Sequence, residues 1–269
     1  MDKGNALEIR GLHAGYGHQE ILRGLDLTAR GGELTALLGR NGSGKSTLLR
    51  AAAGLLPAGG DVRLGGEDAL GGGERMRAKR IAYIPQRPRL DPGETALEAV
   101  LMGANARTPL LGGYTRAQRA QAADCLARVG AAAFAQRLTG ELSEGQRQLV
   151  VFARALMQRP RAMLLDEMDS ALDLPRRYEI LRLVRQTAEE TGCAALCALH
   201  DPQLALCVCD RVLLLMDGRI AGEMDMAAAD EETATRALSM LYGGVRAARM
   251  DGAWAVLPLE ALQRPISLV

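Results

Sequence analysis

The run from Gly39 to Thr47, GRNGSGKST, combines residue types that bind phosphate. Its spacing fits the pattern G-x-x-x-x-G-K-S/T, and it lies between an apolar run, ELTALL, and a helical run, KSTLLRAAAG. Glycines at 39, 42 and 44 allow positive φ and let the backbone approach a ligand. Successive N–H groups and the following helix N-terminus then form an anion cradle. The predicted phosphate-binding residues of this run are Gly39, Arg40, Asn41, Gly42, Ser43, Gly44, Lys45, Ser46 and Thr47.

Two side chains of the run predict what the anion is. Lys45 can reach terminal phosphates, and the Ser46 hydroxyl can coordinate Mg²⁺. We therefore expect a nucleoside triphosphate with its Mg²⁺ ion. A glycine-rich turn that binds nothing is the alternative, and the strand-loop-helix context disfavours it.

Two carboxylates, Asp166 and Glu167, follow an apolar run that predicts a buried strand. Ligands of open α/β folds collect at the carboxyl edge of the sheet. Asp166 can hold Mg²⁺ through its water shell, and Glu167 can orient and polarise a water for attack on the γ-phosphate. Capping of a neighbouring helix is the alternative role for the pair.

Length and composition favour one large folded unit, or one with an inserted lobe. The chain has 269 residues, of which 48% are hydrophobic and 24% charged. Its 33 basic and 32 acidic residues nearly cancel, which disfavours a nucleic acid partner. No run approaches the ~20 apolar residues of a membrane span, and the N-terminus lacks the apolar core of a signal peptide. We expect the chain to stay soluble on the side where it is made.

Five cysteines make an odd count, which indicates reduced thiols in a cytosol. Cys193 and Cys197 fall in CAALCAL, which reads as a buried strand. We expect them to behave as small hydrophobes rather than as metal ligands.

The order of apolar runs predicts an α/β fold. Residues 6 to 38 alternate short apolar runs with glycine turns, as in an antiparallel β layer. Further strands are expected at DVRLGGE, at RIAYIPQ, which would end at Gln86, and at RAMLLDE, CAALCAL and RVLLLM. Helices between them predict a mostly parallel sheet with right-handed crossovers. The predicted fold is a P-loop NTPase core with an N-terminal antiparallel β layer and an inserted α-helical subdomain.

Helical spacing marks the insertion, in TALEAVLMG, YTRAQRAQAADCLARVG and LSEGQRQLVVFARAL. Within one domain of residues 1–269, we expect an α/β core at 1–87 and 158–225 and the helical subdomain at 88–157. The remaining residues, 226–269, predict a helix and a β-hairpin that turns on Asp-Gly.

Tyr16 lies between two glycines upstream of the phosphate loop. Its ring is placed to stack on a nucleobase, which would add it to the nucleotide-binding residues. A partly exposed hairpin tyrosine is the alternative.

Several motifs occur together in the order and spacing of the ATPase subunits of ABC transporters, which the chain resembles from Ala6 to about Glu223. They are the phosphate loop, Gln86, LSEGQ (Leu142 to Gln146), MLLDE, SALD ending at Asp173, and His200. LSEGQ is the most discriminating, because other P-loop families lack it.

The resemblance implies a head-to-tail dimer of two copies, with each ATP between the phosphate loop of one copy and the LSEGQ turn of the other. The residues that would act in trans are Ser143, Glu144, Gly145 and Gln146. Asp173 would support the dimer interface, although an N-cap is an equally good account.

The resemblance also assigns roles around the γ-phosphate. Gln86 would couple the metal site to the helical lobe, and His200 would contact the γ-phosphate and help hold the attacking water. The catalytic set is then Glu167, His200, Lys45 and Gln86, and the metal set is Ser46, Gln86 and Asp166. A solvated loop glutamine and a structural histidine are the alternatives.

Two departures from the family pattern stand out. Glu144 replaces the glycine that is most common there, and we expect its side chain to point away from the nucleotide. Met168 and Asp169 stand where the family usually has Pro and Thr.

The function predicted is ATP hydrolysis that drives a separate multi-span permease, from the cytoplasmic face of the membrane, with a substrate-binding protein as an indirect partner. The helical segment resembles that of importers for iron-siderophores, haem and vitamin B12. The alternative is a soluble ABC-type ATPase that acts as a scaffold or switch, as in iron–sulfur cluster assembly.

Overall fold

A computed structural model describes residues 4–87, 89–109, 113–168 and 172–259. The strands are β1 (Leu7–Tyr16), β2 (Gln19–Ala29), β3 (Leu34–Leu38), β4 (Ala58–Leu64), β5 (Glu67–Asp68), β6 (Ile81–Ile84), β7 (Ala162–Asp166), β8 (Ala194–Leu199), β9 (Arg211–Met216), β10 (Arg219–Asp225), β11 (Val245–Met250) and β12 (Ala253–Pro258). The α-helices are α1 (Lys45–Ala52), α2 (Gly73–Arg80), α3 (Ala96–Leu101), α4 (Arg116–Arg128), α5 (Glu144–Gln158), α6 (Leu174–Thr191), α7 (Pro202–Val208) and α8 (Glu231–Tyr242). Asp169 and the last part of the predicted extension, from residue 260, lie outside the described residues.

The sheet that carries the phosphate loop has the strand order β10-β9-β3-β8-β7-β6. Its pairs are parallel except for β10, which is antiparallel to β9 at the edge. Every residue of β3, β7 and β8 is buried, as expected of strands with both faces covered. The predicted α/β class with a mostly parallel sheet is confirmed.

A second sheet is antiparallel, with the order β2-β1-β4-β5. The predicted antiparallel range of 6 to 38 is too long, because β3 pairs in parallel with β8 and β9. The apolar run of β3 lacks the alternation that marks a half-exposed strand, and this signal separates it from β1 and β2. Leu48 and Leu49 of α1 belong to the hydrophobic cluster that joins the two sheets. That packing fixes the helix that follows the phosphate loop.

The predicted helices after β6 are present, and α3, α4 and α5 pack against one another. Each begins with a capping box, at Thr95, Thr115 and Ser143. Such a box satisfies two of the N–H groups that a helix start leaves unpaired. One helix was missed: α2 has no buried residue, so no apolar periodicity marks it. β6 ends at Ile84 rather than at Gln86, because Pro85 supplies no N–H for the strand pairing.

After β10 the chain forms α8 and the β11–β12 hairpin, which turns at Asp251 and Gly252. Trp254 of the hairpin is buried. Two hydrogen bonds join the hairpin to α7: the Cys207 thiol donates to the Trp254 carbonyl oxygen at 3.4 Å, and the Val256 N–H donates to Gln203 Oε1 at 3.4 Å. Among the described helices, none combines the length and the apolar character that crossing a bilayer requires.

The cysteines predicted to be hydrophobic core residues are buried. Cys197 lies in β8 and Cys193 directly precedes it. Burial raises the pKa of the Cys193 thiol to about 12. Such a thiol stays protonated at neutral pH, which suits a packing role.

Candidate active site

The phosphate loop leaves the carboxyl end of β3 and enters α1. Gly42 and Gly44 have left-handed φ angles of 80° and 106°, as the sequence predicts. Gly39 does not have a positive φ, so that part of the prediction is wrong for this residue. A Cβ at Gly39 would lie 2.5 Å from Ser43 Oγ and 2.6 Å from the Leu215 carbonyl oxygen. Close packing against the loop and β9 therefore requires glycine at this position.

Lys45 lies buried at the start of α1, with 5% of its surface exposed. Its ammonium donates to the Gly39 carbonyl oxygen at 2.9 Å, and its Nζ lies 3.6 Å from Glu167 Oε1. Burial lowers the pKa of Lys45 below its ordinary value, and this outweighs the raising effects of Glu167 and Asp166. The ammonium is thus incompletely compensated in the protein alone, and phosphate oxygens would supply the missing negative charge.

Asp166 ends β7 with both of its carboxylate oxygens hydrogen-bonded. Oδ1 accepts from the Ser46 hydroxyl at 2.8 Å, and Oδ2 accepts from the Tyr83 hydroxyl at 2.9 Å. The structure thus joins two members of the predicted metal set. Tyr83, on the neighbouring strand β6, was not predicted as a site residue. The only signal for it was a hydroxyl-bearing residue in a strand that ends near the site.

Glu167 collects the rest of the predicted catalytic set. Its Oε1 lies 2.6 Å from His200 Nε2, and its Oε2 accepts from Gln86 Nε2 at 2.8 Å. With Lys45, three side chains therefore converge on one carboxylate, which is 8% exposed. They meet because β6, β7 and β8 are neighbours and their carboxyl ends share one edge of the sheet. The Gln86 amide contacts Glu167 and not the predicted metal carboxylate, Asp166.

Glu167 itself has φ 49°, in the left-handed region that non-glycine residues seldom adopt. Its N–H donates to the Ala198 carbonyl oxygen of β8 at 3.2 Å. Such backbone strain tends to occur at functional sites, where the surrounding structure must hold it. In this conformation the Glu167 carboxylate contacts Lys45 and His200.

The residues present fit a triphosphate with Mg²⁺. Ser43 Oγ is buried and has no hydrogen-bond partner within the described residues, so a phosphate oxygen would give it one. The site beside Gly42 is open, since nothing described lies within 4 Å of a Cβ built there. The paired oxygens of Ser46 and Asp166 are the hard ligands that Mg²⁺ prefers.

Tyr16 ends β1, and its ring is 48% exposed. Arg50 of α1 donates through Nη1 to the Tyr16 hydroxyl at 3.5 Å and through Nε to the Tyr83 hydroxyl at 3.3 Å. The exposed ring is available for stacking, and that role stays a prediction. Arg50 was not predicted as a site residue, although it lies on the helix that the loop begins.

The LSEGQ turn forms the start of α5. Ser143 Oγ accepts from the Gln146 N–H at 3.3 Å, and the Ser143 N–H donates to Gln146 Oε1 at 3.0 Å. Because Ser143 Oγ acts as an acceptor in the capping box, its hydroxyl proton remains to be donated. Glu144 is exposed and Gly145 half-buried. The direction in which Glu144 points relative to a nucleotide stays a prediction.

Asp173 acts as the N-cap of α6, because its Oδ1 accepts from the Arg176 N–H at 3.0 Å. The capping account of Asp173 is therefore confirmed, and its role in a dimer stays a prediction.

Comparisons with known proteins agree with this geometry. The sequence matches the family described as ABC transporter over residues 22–170, which include the phosphate loop, LSEGQ and both strand-end carboxylates. The aliphatic sulfonates import ATP-binding protein SsuB of Cupriavidus necator is 39% identical over 227 residues, covering 84% of this chain and 71% of the relative. The hemin import ATP-binding protein HmuV of Jannaschia sp. is 37% identical over 221 residues, covering 79% of each chain.

A solved structure of a dimeric ATP-binding cassette, in a post-hydrolysis state bound to ADP and Pi, has a similar fold. Its TM-score is 0.74 at 27% identity, and the match covers 82% of this chain and 98% of that one.

Proposed function

The chain belongs to the ABC transporter family, as an ATPase subunit that energises a membrane permease, and we propose that this permease imports a metal chelate of the iron-siderophore, haem or cobalamin type. The resemblance of the helical segment and the hemin-import relative support this cargo. The relatives also include a sulfonate-import protein, so the cargo class needs its own test.

The convergence of donors on Glu167 is the observation that carries the hydrolytic role. Glu167 acts as the base that orients and polarises the attacking water. His200, at 2.6 Å, holds the carboxylate on one side, and Gln86 holds it on the other at 2.8 Å. Lys45 and the loop N–H groups bind the phosphate oxygens.

Ser46 and Asp166 would hold Mg²⁺, and Gln86 would reach it from the loop after β6. When bound there, the ion would supply positive charge to the phosphate oxygens. Ser46 and Asp166 fix its place through their 2.8 Å contact, and Tyr16 orients the nucleotide by stacking on its base.

A second copy of the chain completes the site. Ser143 and Gly145 of that copy offer a hydroxyl and backbone N–H groups at the start of α5, where the helix dipole favours an anion. Glu144 and Gln146 flank this contact, and Asp173 lies at the interface between the copies. The dimeric cassette bound to ADP and Pi supports this assembly.

The permease docks on the helical subdomain, residues 88–157, beside Gln86. The chain therefore works as a peripheral subunit on the cytoplasmic face of the membrane, and a substrate-binding protein delivers cargo to the permease from the other side. The α/β core at 1–87 and 158–225 holds the nucleotide, and within the extension at 226–269 the described residues, up to 259, pack on that core.

Glu167→Gln tests the hydrolytic role. The amide keeps the shape of the side chain but cannot accept a proton, so we expect turnover to fall by about 10²–10⁴-fold while ATP still binds. Size-exclusion chromatography with MgATP should show a trapped dimer. Glu179→Gln, an exposed carboxylate on α6, is the matched control. Wild-type turnover by the Glu167 variant would remove this residue from the base role.

The cargo is tested by uptake into vesicles that contain this chain and its permease. We expect ATP-dependent uptake of haem, a siderophore complex or cobalamin, and none of an aliphatic sulfonate. Sulfonate uptake alone would overturn the metal-chelate proposal. A chain that never associates with membranes bearing that permease would support the scaffold alternative instead.

A further inference from the structure

A chain of hydrogen bonds outside the predicted site ends on the candidate metal carboxylate. It runs from Arg50 Nε to the Tyr83 hydroxyl at 3.3 Å, and from that hydroxyl to Asp166 Oδ2 at 2.9 Å. We propose that Tyr83, oriented by Arg50, is a positioning residue that fixes Asp166 for Mg²⁺ binding. This inference rests on the proposed function.

The direction of each hydrogen bond is set by the chemistry of its donor. A guanidinium only donates, so Arg50 must use the Tyr83 oxygen as an acceptor. The phenol has a single proton, which is then directed to Asp166 Oδ2.

Asp166 is held at both oxygens as a result. Ser46 donates to Oδ1 and Tyr83 to Oδ2, and the side chain is 1% exposed. Each carboxylate oxygen has a second lone pair, so a metal with its water shell still finds an acceptor there. Because Mg²⁺ demands nearly ideal octahedral geometry, a carboxylate held in one orientation binds it better than one that rotates.

The phenol acts on the metal only through Asp166. Removal of such an outer-shell partner weakens metal affinity by about 10–100-fold in known metal sites. If the Tyr83 hydroxyl only stabilised the fold, its removal would weaken nucleotide binding equally with and without metal. The metal dependence of binding therefore separates the two roles.

The experiment is a titration of the full-length protein with adenylyl imidodiphosphate, a non-hydrolysable ATP analogue, once with Mg²⁺ and once with EDTA. The ratio of the two Kd values measures how much the metal tightens binding. For Tyr83→Phe we expect this ratio to fall by about tenfold, with the Kd in EDTA unchanged. Arg50→Gln should lower the ratio as well, because the phenol then loses the partner that orients it.

Tyr114→Phe is the matched control, because its hydroxyl has a partner outside the phosphate site. The Tyr114 hydroxyl donates to Asn105 Oδ1, and the two atoms are 2.5 Å apart. This variant should keep the wild-type ratio. A wild-type ratio in Tyr83→Phe overturns the inference, and so does an equal loss of affinity in Mg²⁺ and in EDTA. A wild-type protein that binds the analogue in neither condition overturns the proposed function itself, which is a distinct result.

Discussion

Replacing Lys45 with Met separates the ammonium's effect on nucleotide binding from its effect on the fold. Burial disfavours the charged form of Lys45 more than Glu167, at 3.6 Å, favours it, as the lowered pKa indicates. The Met side chain fills a similar volume and has no charge to desolvate, which favours the folded variant. However, Met cannot donate to the Gly39 carbonyl oxygen, and a buried acceptor without a donor destabilises the fold by about 1–3 kcal/mol. Because these effects oppose each other, the free energy of unfolding should change by less than about 2 kcal/mol.

Nucleotide affinity should respond far more. A hydrogen bond to a charged group contributes about 1.5–3 kcal/mol, so calorimetric titration should show ATP affinity reduced by about 10–100-fold. Lys79→Met, on the half-buried face of α2, is the matched control and should bind ATP normally. Urea unfolding measures the change in the free energy of unfolding.

The pH dependence of the free energy of unfolding provides a second measurement on Lys45→Met. The folded-state pKa of Lys45 lies below its ordinary 10.5, so between these two values the unfolded chain binds more protons. Wild-type stability should therefore rise with pH in that window relative to Lys45→Met. If Lys45→Met loses several kcal/mol in the free energy of unfolding yet keeps its ATP affinity, Lys45 stabilises the fold rather than binding phosphate.

Two further predictions concern packing. Gly39→Ala should lower the thermal unfolding temperature more than Gly42→Ala, because the new Cβ at position 39 would lie 2.6 Å from the Leu215 carbonyl oxygen. In the nucleotide-free protein the cost at Gly42 is that of its positive φ, about 1–2 kcal/mol, so equal losses in thermal unfolding would argue against the close-packing account. If the hairpin unfolds together with the core, Trp254→Ala should lower the free energy of unfolding in urea by about 3–5 kcal/mol, and Trp254→Phe should lower it less. An unchanged unfolding curve would show that the hairpin opens on its own.

The placement of side chains at the strand ends was largely predictable from the sequence. The phosphate loop, Asp166, Glu167 and His200 each occupy a place that an apolar run or a helix start marks in the chain. Parallel strands bring their carboxyl ends to one edge, so a meeting of Glu167 and His200 follows once the α/β order is recognised.

The supporting contacts were not predictable, because they depend on distances between segments remote in sequence. Tyr83 and Asp166 are 83 positions apart, and their contact requires β6 to pair with β7 in one particular register. Arg50 looks like any exposed helix arginine until Tyr83 is placed beside it. Gly39 fits the motif, but only the position of the Leu215 carbonyl shows why glycine is needed there.

The loop after β6 physically links Glu167, the carboxylate proposed to be the catalytic base, to the LSEGQ helix. Gln86 donates to Glu167 Oε2 at 2.8 Å, and the carbonyl oxygen of the preceding residue, Pro85, accepts from Gln148 of α5 at 3.4 Å. Gln148 is fully buried, so it cannot exchange that partner for water without moving α5. A displacement of α5 must therefore stretch the Pro85 contact or carry Pro85 with it, and Gln86 follows because it is the next residue. The position of the helix that begins with Ser143 is in this way tied to the hydrogen bonding of Glu167.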